Sequence, residues 1–403
     1  MKKDINSVST REIILGFVFL NILSGTASGV LSMIIPLYAI SINASAAQVG
    51  LIRGISGIGL LILVLPSGFL VDYYGSKKLY IIGGLVFSAS IFFLPFAIVP
   101  ILVMVIMAFQ GLANSLRFTS LNAAFFKYLD VIGKDKAGWY RGSMSLGLTF
   151  LGPFIGGYGV GIMNYKAIFY TVGFISLVPV IIMVALIKRN KTKKPFKFSG
   201  VFKEQLLDFK LILKNNVVKQ MALVESLSTA CFSSFITFIV VLVVKKYQYK
   251  SYYASWLVIL EGSAFIFVVF LGGKIVDKYK DYKLYLGSFV MVIIGSMWIV
   301  LTNKIQFLGA ATIIIGLGLG MTNLITYCQI GALKGKKGKI SGLFSACSGL
   351  GSTFGPILGG IIGEFFGIKA VFISFVPIFI LIGIYVIKNA TSENETTGVE
   401  QVS

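Results

Sequence analysis

The chain has 403 residues, of which 56% are hydrophobic and 13% charged, with a mean hydropathy of +0.89, a balance that excludes an ordinary soluble domain. Its net charge of +21 would suit a nucleic-acid partner, but the basic residues are distributed loop by loop, which argues against nucleic acid and for a lipid bilayer. With no histidine and with Cys231, Cys328 and Cys347 isolated in apolar runs, the chain offers no metal site, disulfide framework or cofactor motif.

A helix needs about 20 apolar residues to cross a bilayer. Twelve runs meet that length: 13–37, 48–70, 79–98, 101–126, 140–162, 167–187, 218–244, 253–273, 284–302, 307–330, 340–362 and 368–387. The expected fold class is an all-α membrane protein with twelve transmembrane helices. With the N-terminus in the cytosol, the outer loops hold only Lys166, Lys245, Lys246, Lys250, Lys304 and Lys369. Arg53, Arg117 and Lys219 lie in or beside runs, and every other Lys and Arg is cytosolic. This asymmetry follows the positive-inside rule and places both termini in the cytosol. Run 1 is too long and too broken by Gly and Ser for a signal peptide, so it is expected to be retained.

Taken in chain order, run 1 carries Asn21 and run 2 carries Arg53. Run 2 ends in Gly68-Phe-Leu-Val-Asp72-Tyr-Tyr-Gly75-Ser-Lys77-Lys78. Run 4 holds Gln110-Gly111, Asn114, Arg117 and Asn122, and run 5 holds Gly142, Gly147, Gly152-Pro153 and Gly156-Gly157. The basic segment 189–217 follows; Val201, Phe202, Leu206, Phe209 and Leu213 recur near helical spacing, so it reads either as an interfacial amphipathic helix or as a plain basic linker against anionic lipid. Run 7 has Glu225, run 8 has Glu261, and run 8 ends in Gly273-Lys-Ile-Val-Asp277. Run 10 has Asn323, Tyr327 and Gln329, and run 11 has Gly342, Gly351, Gly355-Pro356 and Gly359-Gly360. The tail 389–403 is polar and expected to be disordered.

Offsets of 203 to 205 residues align Asp72 with Asp277, Gly111 with Gly316, and the Gly152-Pro153 element with Gly355-Pro356. The chain is therefore a duplication, with six-helix bundles at 1–188 and 218–388 joined by the linker. An even helix count gives both halves the same orientation, a parallel repeat that places a substrate site near the bilayer midplane between them.

On these residues the chain resembles the major facilitator superfamily from run 1 to run 12. The family's loop 2-3 element, G-x-L-x-D-R-x-G-R-R, is matched by Gly68, Leu70, Asp72, Gly75 and Lys77, and departs at Tyr73 and Ser76. Gly68 reads as a point of close helix approach and Gly75 as a tight reversal, and Gly273 opens the repeated gating element as the counterpart of Gly68. The resemblance implies that Asp72 is a conformational latch docking near the start of helix 11, with Asp277 facing helix 5 as its counterpart. Lys77, Lys78, Asp130 and Arg141 would complete a charge network there. Run 5 is similar to the antiporter element G-x8-G-x3-G-P-x2-G-G in its core, Gly152, Pro153, Gly156 and Gly157, but has Leu148 and Trp139 where that spacing asks for glycine. Run 11 fits the whole spacing through Gly355, Pro356, Gly359 and Gly360. Both elements read as hinges, or as plain helix packing. The R-x-x-Q-G element of helix 4 has Met107 in place of its arginine, so Arg117 inherits no relay role.

Ionisable groups inside spanning helices are costly and face a cavity or a partner. Arg117 lies ten residues before Lys127, about 15 Å along a helix and so near mid-membrane. Glu261 and Glu225 are the candidates for proton coupling. Arg117, Arg53, Asn21, Asn114, Asn323 and Tyr327 are the candidates for a substrate cavity, and a structural ion pair of Arg117 with Glu261 or Glu225 is the alternative. The expected function is secondary active transport of a small organic solute by alternating access, through proton-coupled efflux in a monomer of the cell membrane. The alternatives are proton-coupled import of an anionic metabolite and a non-transporting sensor on the same fold. No G-x-x-x-x-G-K-[ST] loop occurs, and no soluble region is large enough for an enzyme.

Overall fold

The computed structural model describes residues 10–132, 137–186, 207, 209–332 and 337–400. Among these there is no strand. Twelve helices are long and apolar enough to cross a membrane: Glu12–Ser41, Ala46–Leu63, Ser76–Phe96, Pro100–Phe125, Gly142–Ile162, Tyr165–Ala185, Asn216–Lys246, Ser251–Leu271, Asp281–Leu301, Ile305–Ile330, Gly342–Phe366 and Ile368–Ala390. They are spans 1 to 12. Each closes its backbone hydrogen bonds within itself, the requirement for an isolated segment in lipid. The last helix, Phe375–Glu400, continues through most of the tail expected to be disordered. An established helix adds one hydrogen bond per residue fixed, so it propagates without apolar packing.

Two compact units divide the chain. The first comprises Met1–Ala44, Leu51–Phe202 and Lys250–Ser255; the second comprises Ser45–Gly50, Lys203–Tyr249 and Trp256–Ser403. The start of span 2 thus groups with the second unit and the start of span 8 with the first, at equivalent positions of the repeat. In the first unit, span 1 packs on spans 4, 5 and 6, and span 3 packs on spans 4 and 6. In the second, span 7 packs on spans 10, 11 and 12, and span 9 on spans 10 and 12. Adding six to each number converts the first pattern into the second.

Glycine makes the equivalent crossings close. A Cβ on Gly111 would overlap the Ser56 carbonyl oxygen, and one on Gly316 would overlap that of Glu261. Gly147 presses on span 1 at Ile22 and Thr26, and Gly351 presses on span 7 at Ser226 and Ala230. Without a hydrophobic drive between helices in lipid, this backbone proximity supplies the dispersion contact that holds a bundle.

The helix ends are capped by side chains. Ser45 and Gln48 form a reciprocal capping box at the start of span 2: the Ser45 N–H donates to Gln48 Oε1 at 2.9 Å and the Gln48 N–H to Ser45 Oγ at 3.3 Å. Asn215 accepts from the amides of Val217 and Val218 at the start of span 7. Just before it, Phe209, Ile212 and Leu213 pack against Val218, Ala222, Leu343 and Cys347. Most of the amphipathic stretch expected in the linker lies outside the described residues. At the other end of the second unit, Lys369 Nζ donates to the carbonyls of Val300 (2.7 Å) and Thr302 (3.1 Å) and to Asn303 Oδ1 (2.8 Å). These are the orphan carbonyls at the end of span 9. Lys369→Met is expected to lower stability by about 1–2 kcal/mol, read as a lower unfolding midpoint in detergent, while Lys369→Arg keeps most of it. An unchanged midpoint in Lys369→Met would show that water replaces the ammonium there.

Candidate functional site

The turn between spans 2 and 3 is built as the sequence expects at one residue. Gly75 has φ 85°, a conformation that favours glycine, and the helix of span 3 restarts at Ser76. Lys77 Nζ donates to the Val184 carbonyl at 2.7 Å, capping span 6, and Lys78 lies 5.4 Å from the centre of the Tyr74 ring. The side chains of Asp72, Asp130, Arg141 and Asp277, and the surroundings of Gly68, lie outside the described residues. Open space surrounds Gly273, while a Cβ on Gly272 would lie 2.5 Å from the Val268 carbonyl oxygen of span 8 and 2.8 Å from Leu324 Cδ2 on span 10. Span 8 ends at Leu271 and a short helix restarts at Gly273, so the crowding falls on the last turn before the break.

The two Gly-Pro elements are not structural copies. In span 5 a π turn, Leu146–Leu151, immediately precedes Gly152-Pro153, at the place where proline withholds the hydrogen bond to the carbonyl four residues back. In span 11 the α-helix Lys337–Phe366 runs through Pro356. Their glycines face close neighbours in both cases. Gly152 meets Gly29, Gly156 meets Met33, Gly355 meets Ala230 and Gly359 meets Phe238. Gly157 accepts from Ser251 Oγ at 2.8 Å in the first unit. In the second unit Gly360 packs on Ala46 and Gly50 beside the Ala47 amide, which donates to Glu364 at 3.3 Å.

Several polar cavity candidates serve their own bundle. Asn21 Nδ2 donates to the Tyr140 carbonyl at 2.9 Å, and Asn122 Oδ1 accepts from Tyr140 Oη at 2.7 Å, which ties span 5 to spans 1 and 4. Gln329 donates to Asp281 at 2.8 Å and accepts from Tyr285 at 3.0 Å. Asn323 is half-buried, Tyr327 is 42% exposed, and the enclosed Asn114 Oδ1 has no hydrogen-bond partner among the described residues.

The buried charges are segregated by sign. In the first unit, Arg117 is 1% exposed, and Arg53 is half-buried with its Nε enclosed and unpartnered. Arg117 Nη2 donates to the Ser24 carbonyl at 3.1 Å and to Ser28 Oγ at 3.2 Å, both on span 1. Its guanidinium lies 3.9 Å from the centre of the Phe87 ring, a cation–π contact. Beside it Tyr80 Oη and Ser24 Oγ are 2.9 Å apart. These partners are neutral groups of its own unit.

In the second unit the two carboxylates differ. Glu225 accepts from Ser348 Oγ on span 11 and from Thr229 Oγ1 at 3.4 Å. Glu261 is fully buried, and neither of its oxygens has a hydrogen-bond partner among the described residues. Ser348→Ala is therefore expected to cost about 1–2 kcal/mol by removing one of the hydrogen bonds that Glu225 accepts, whereas Glu225→Gln, which still offers an oxygen to Ser348, costs less. Thermal unfolding of both variants checks this; equal losses would mean that the Glu225 charge itself, and not the bond, carries the contribution.

The repeat offset of 205 explains the segregation. Tyr80 and Tyr285 are equivalent, while Ser56 stands where the second unit has Glu261, Leu20 where it has Glu225, and Thr322 where the first has Arg117. Sequence reasoning missed Ser24, Ser28, Tyr80 and Phe87 around Arg117 and Ser348 against Glu225. The Tyr80 and Tyr285 identity at that offset was the signal available.

The family model for the Major Facilitator Superfamily matches residues 17–342. An MFS-type transporter of Methanocaldococcus jannaschii is 23% identical over 88% of this chain and 92% of its own length. The multi-drug resistance efflux pump PmrA of Streptococcus pneumoniae is 26% identical over 88% of this chain and 90% of its own. The crystal structure of nucleoside transporter NupG shares the fold, with a TM-score of 0.78 at 14% identity over 93% of this chain and 98% of that one. With the repeated six-span units, the loop 2-3 element and the Gly-Pro elements, these matches show that the chain belongs to the major facilitator superfamily and is a multi-pass membrane transporter rather than an enzyme.

Proposed function

We propose that the chain is a proton-coupled exporter of small organic solutes, working by alternating access with both termini in the cytosol, and that Glu261 takes up and releases the coupling proton. The observation that carries this reading is the burial of both Glu261 oxygens without a donor. An unpaired buried carboxylate is strongly disfavoured, so the protonated acid suits the closed surroundings of span 8, and the anion needs water or a partner to reach it. That ties the proton to a change of conformation, as coupling demands. Efflux is supported by the similarity to PmrA, named as a multi-drug efflux pump. The loop residues Gly68, Asp72, Gly75 and Asp277 would act as latches, and the two Gly-Pro elements as the places where spans 5 and 11 bend.

A second reading, import of an anionic metabolite, is favoured by the unpartnered nitrogens of Arg53 and Arg117. One experiment separates the two. Protein reconstituted in liposomes with an imposed pH gradient is offered cationic dyes and organic anions in parallel. Gradient-driven movement of dyes that Glu261→Gln abolishes supports the first reading; anion uptake that Arg53→Gln abolishes replaces it with the second.

A further inference from the structure

Arg117 presents an imbalance that its own unit does not resolve. The guanidinium is buried, and its Nη2 serves two neutral acceptors while Nε and Nη1 have none among the described residues. Along the helices, the acidic positions among the described residues of the first unit are several turns away. Phe87, on which Arg117 stacks, is eleven residues beyond Ser76 and so about 16 Å from Asp72's end of span 3. Glu12 is twelve residues before Ser24, and Asp130 thirteen beyond Arg117, on the order of 18–20 Å each. A cation–π contact and two neutral hydrogen bonds offset part of the cost of burying this charge, but they leave its net sign in place, and an uncompensated charge is among the most expensive groups to hold inside a membrane protein.

The neighbouring hydroxyls are donors as well. Tyr80 and Ser24 share one hydrogen bond between two O–H groups, which leaves one hydrogen unused, and the Ser28 hydroxyl accepts from Arg117 with its own hydrogen unassigned. Three guanidinium N–H groups, one on Nε and two on Nη1, and two O–H groups therefore lie at or beside a positive centre. Water would satisfy some of these donors but not the charge. We propose that the first unit holds a small monovalent inorganic anion, of chloride or nitrate size, beside Arg117 among Ser24, Ser28 and Tyr80. The enclosure of Arg117, which is 1% exposed, favours a small ion over a bulky organic anion. The anion is resident, a counter-ion that lets the Arg117 bundle stay closed, and is independent of which solute the transporter carries.

Thermal unfolding of the purified protein tests this without any transport assay, so its result is separate from that of the proton-coupling reading. At constant ionic strength, replacing gluconate by chloride, bromide or nitrate is expected to raise the midpoint saturably, by about 2–4 °C, and Arg117→Gln is expected to remove the dependence. Because that variant risks misfolding, Ser28→Ala provides the second arm: it keeps the charge, removes one donor and shifts the half-saturating halide concentration upward by about 3-fold or more. Line broadening of chloride resonances in the NMR spectrum, displaced by bromide, reads binding directly. A midpoint insensitive to halide, or one that rises equally with gluconate, overturns the proposal, as does an unchanged response in both Ser28→Ala and Arg117→Gln.

Discussion

Glu261→Gln is expected to reduce pH-gradient-driven solute movement in proteoliposomes to the level of protein-free vesicles, while solute exchange at equal pH on both sides continues at close to the parent rate. The two outcomes differ because glutamine is a neutral near-isostere of a protonated glutamate. It fits the donor-free burial of the Glu261 oxygens and lets the carrier cycle when loaded, but it cannot release a proton. Glu261→Asp retracts the carboxyl by one methylene and should slow coupled movement without abolishing it. Glu225→Gln supplies the internal control, because Glu225 is hydrogen-bonded by Ser348 and Thr229 and its amide retains an acceptor for both. If Glu261→Gln retains gradient-driven flux, the coupling proton travels elsewhere. If Glu225→Gln alone loses it, the order of the two carboxylates is reversed.

Much of the architecture was legible because membrane constraints act locally. Twelve apolar runs, the charge asymmetry of the loops and the offset that joins Gly111 to Gly316 are properties of neighbouring or aligned residues, and the twelve spans and the repeated packing of the units follow them. Gly75 was legible for the same reason: a reversal between two spans needs a backbone that glycine supplies, and its φ is 85°. What was not legible depends on which side chain meets which across a bundle. Asn21 reads as a cavity lining but ties span 1 to the Tyr140 carbonyl. Gly273 carries the motif, and open space surrounds it where a short helix restarts after span 8. Arg117 reads as a cavity residue or as half of an ion pair, and spacing does not reveal that a serine hydroxyl and a carbonyl on span 1 accept from it. A one-residue shift along a helix rotates a side chain by roughly 100°, so spacing alone does not choose between a cavity and a neighbouring span.

The repeat also separates what the second unit's carboxylate does from what the fold does. Gly111→Ala and Gly316→Ala each place a methyl group against a carbonyl oxygen of the span opposite, Ser56 in one unit and Glu261 in the other. A carbonyl held in a helix has little freedom to yield, so each substitution must push two spans apart, and each is expected to destabilise by about 1–3 kcal/mol. Unfolding midpoints should fall together in the two variants, because the crossings are equivalent. Function should not. Gly316→Ala moves the backbone that positions Glu261 and opens the packing that shields its oxygens, so pH-driven flux should fall further than solute exchange. Gly111→Ala moves Ser56, which carries no charge, and should lower both activities only in proportion to the folded fraction. Equal loss of coupled flux in the two variants, at equal exchange, would show that the crossing of span 2 with span 4 and that of span 8 with span 10 act as one mechanical pair. Glu261 would then be a passenger in span 8 and not the residue that joins the proton to the movement.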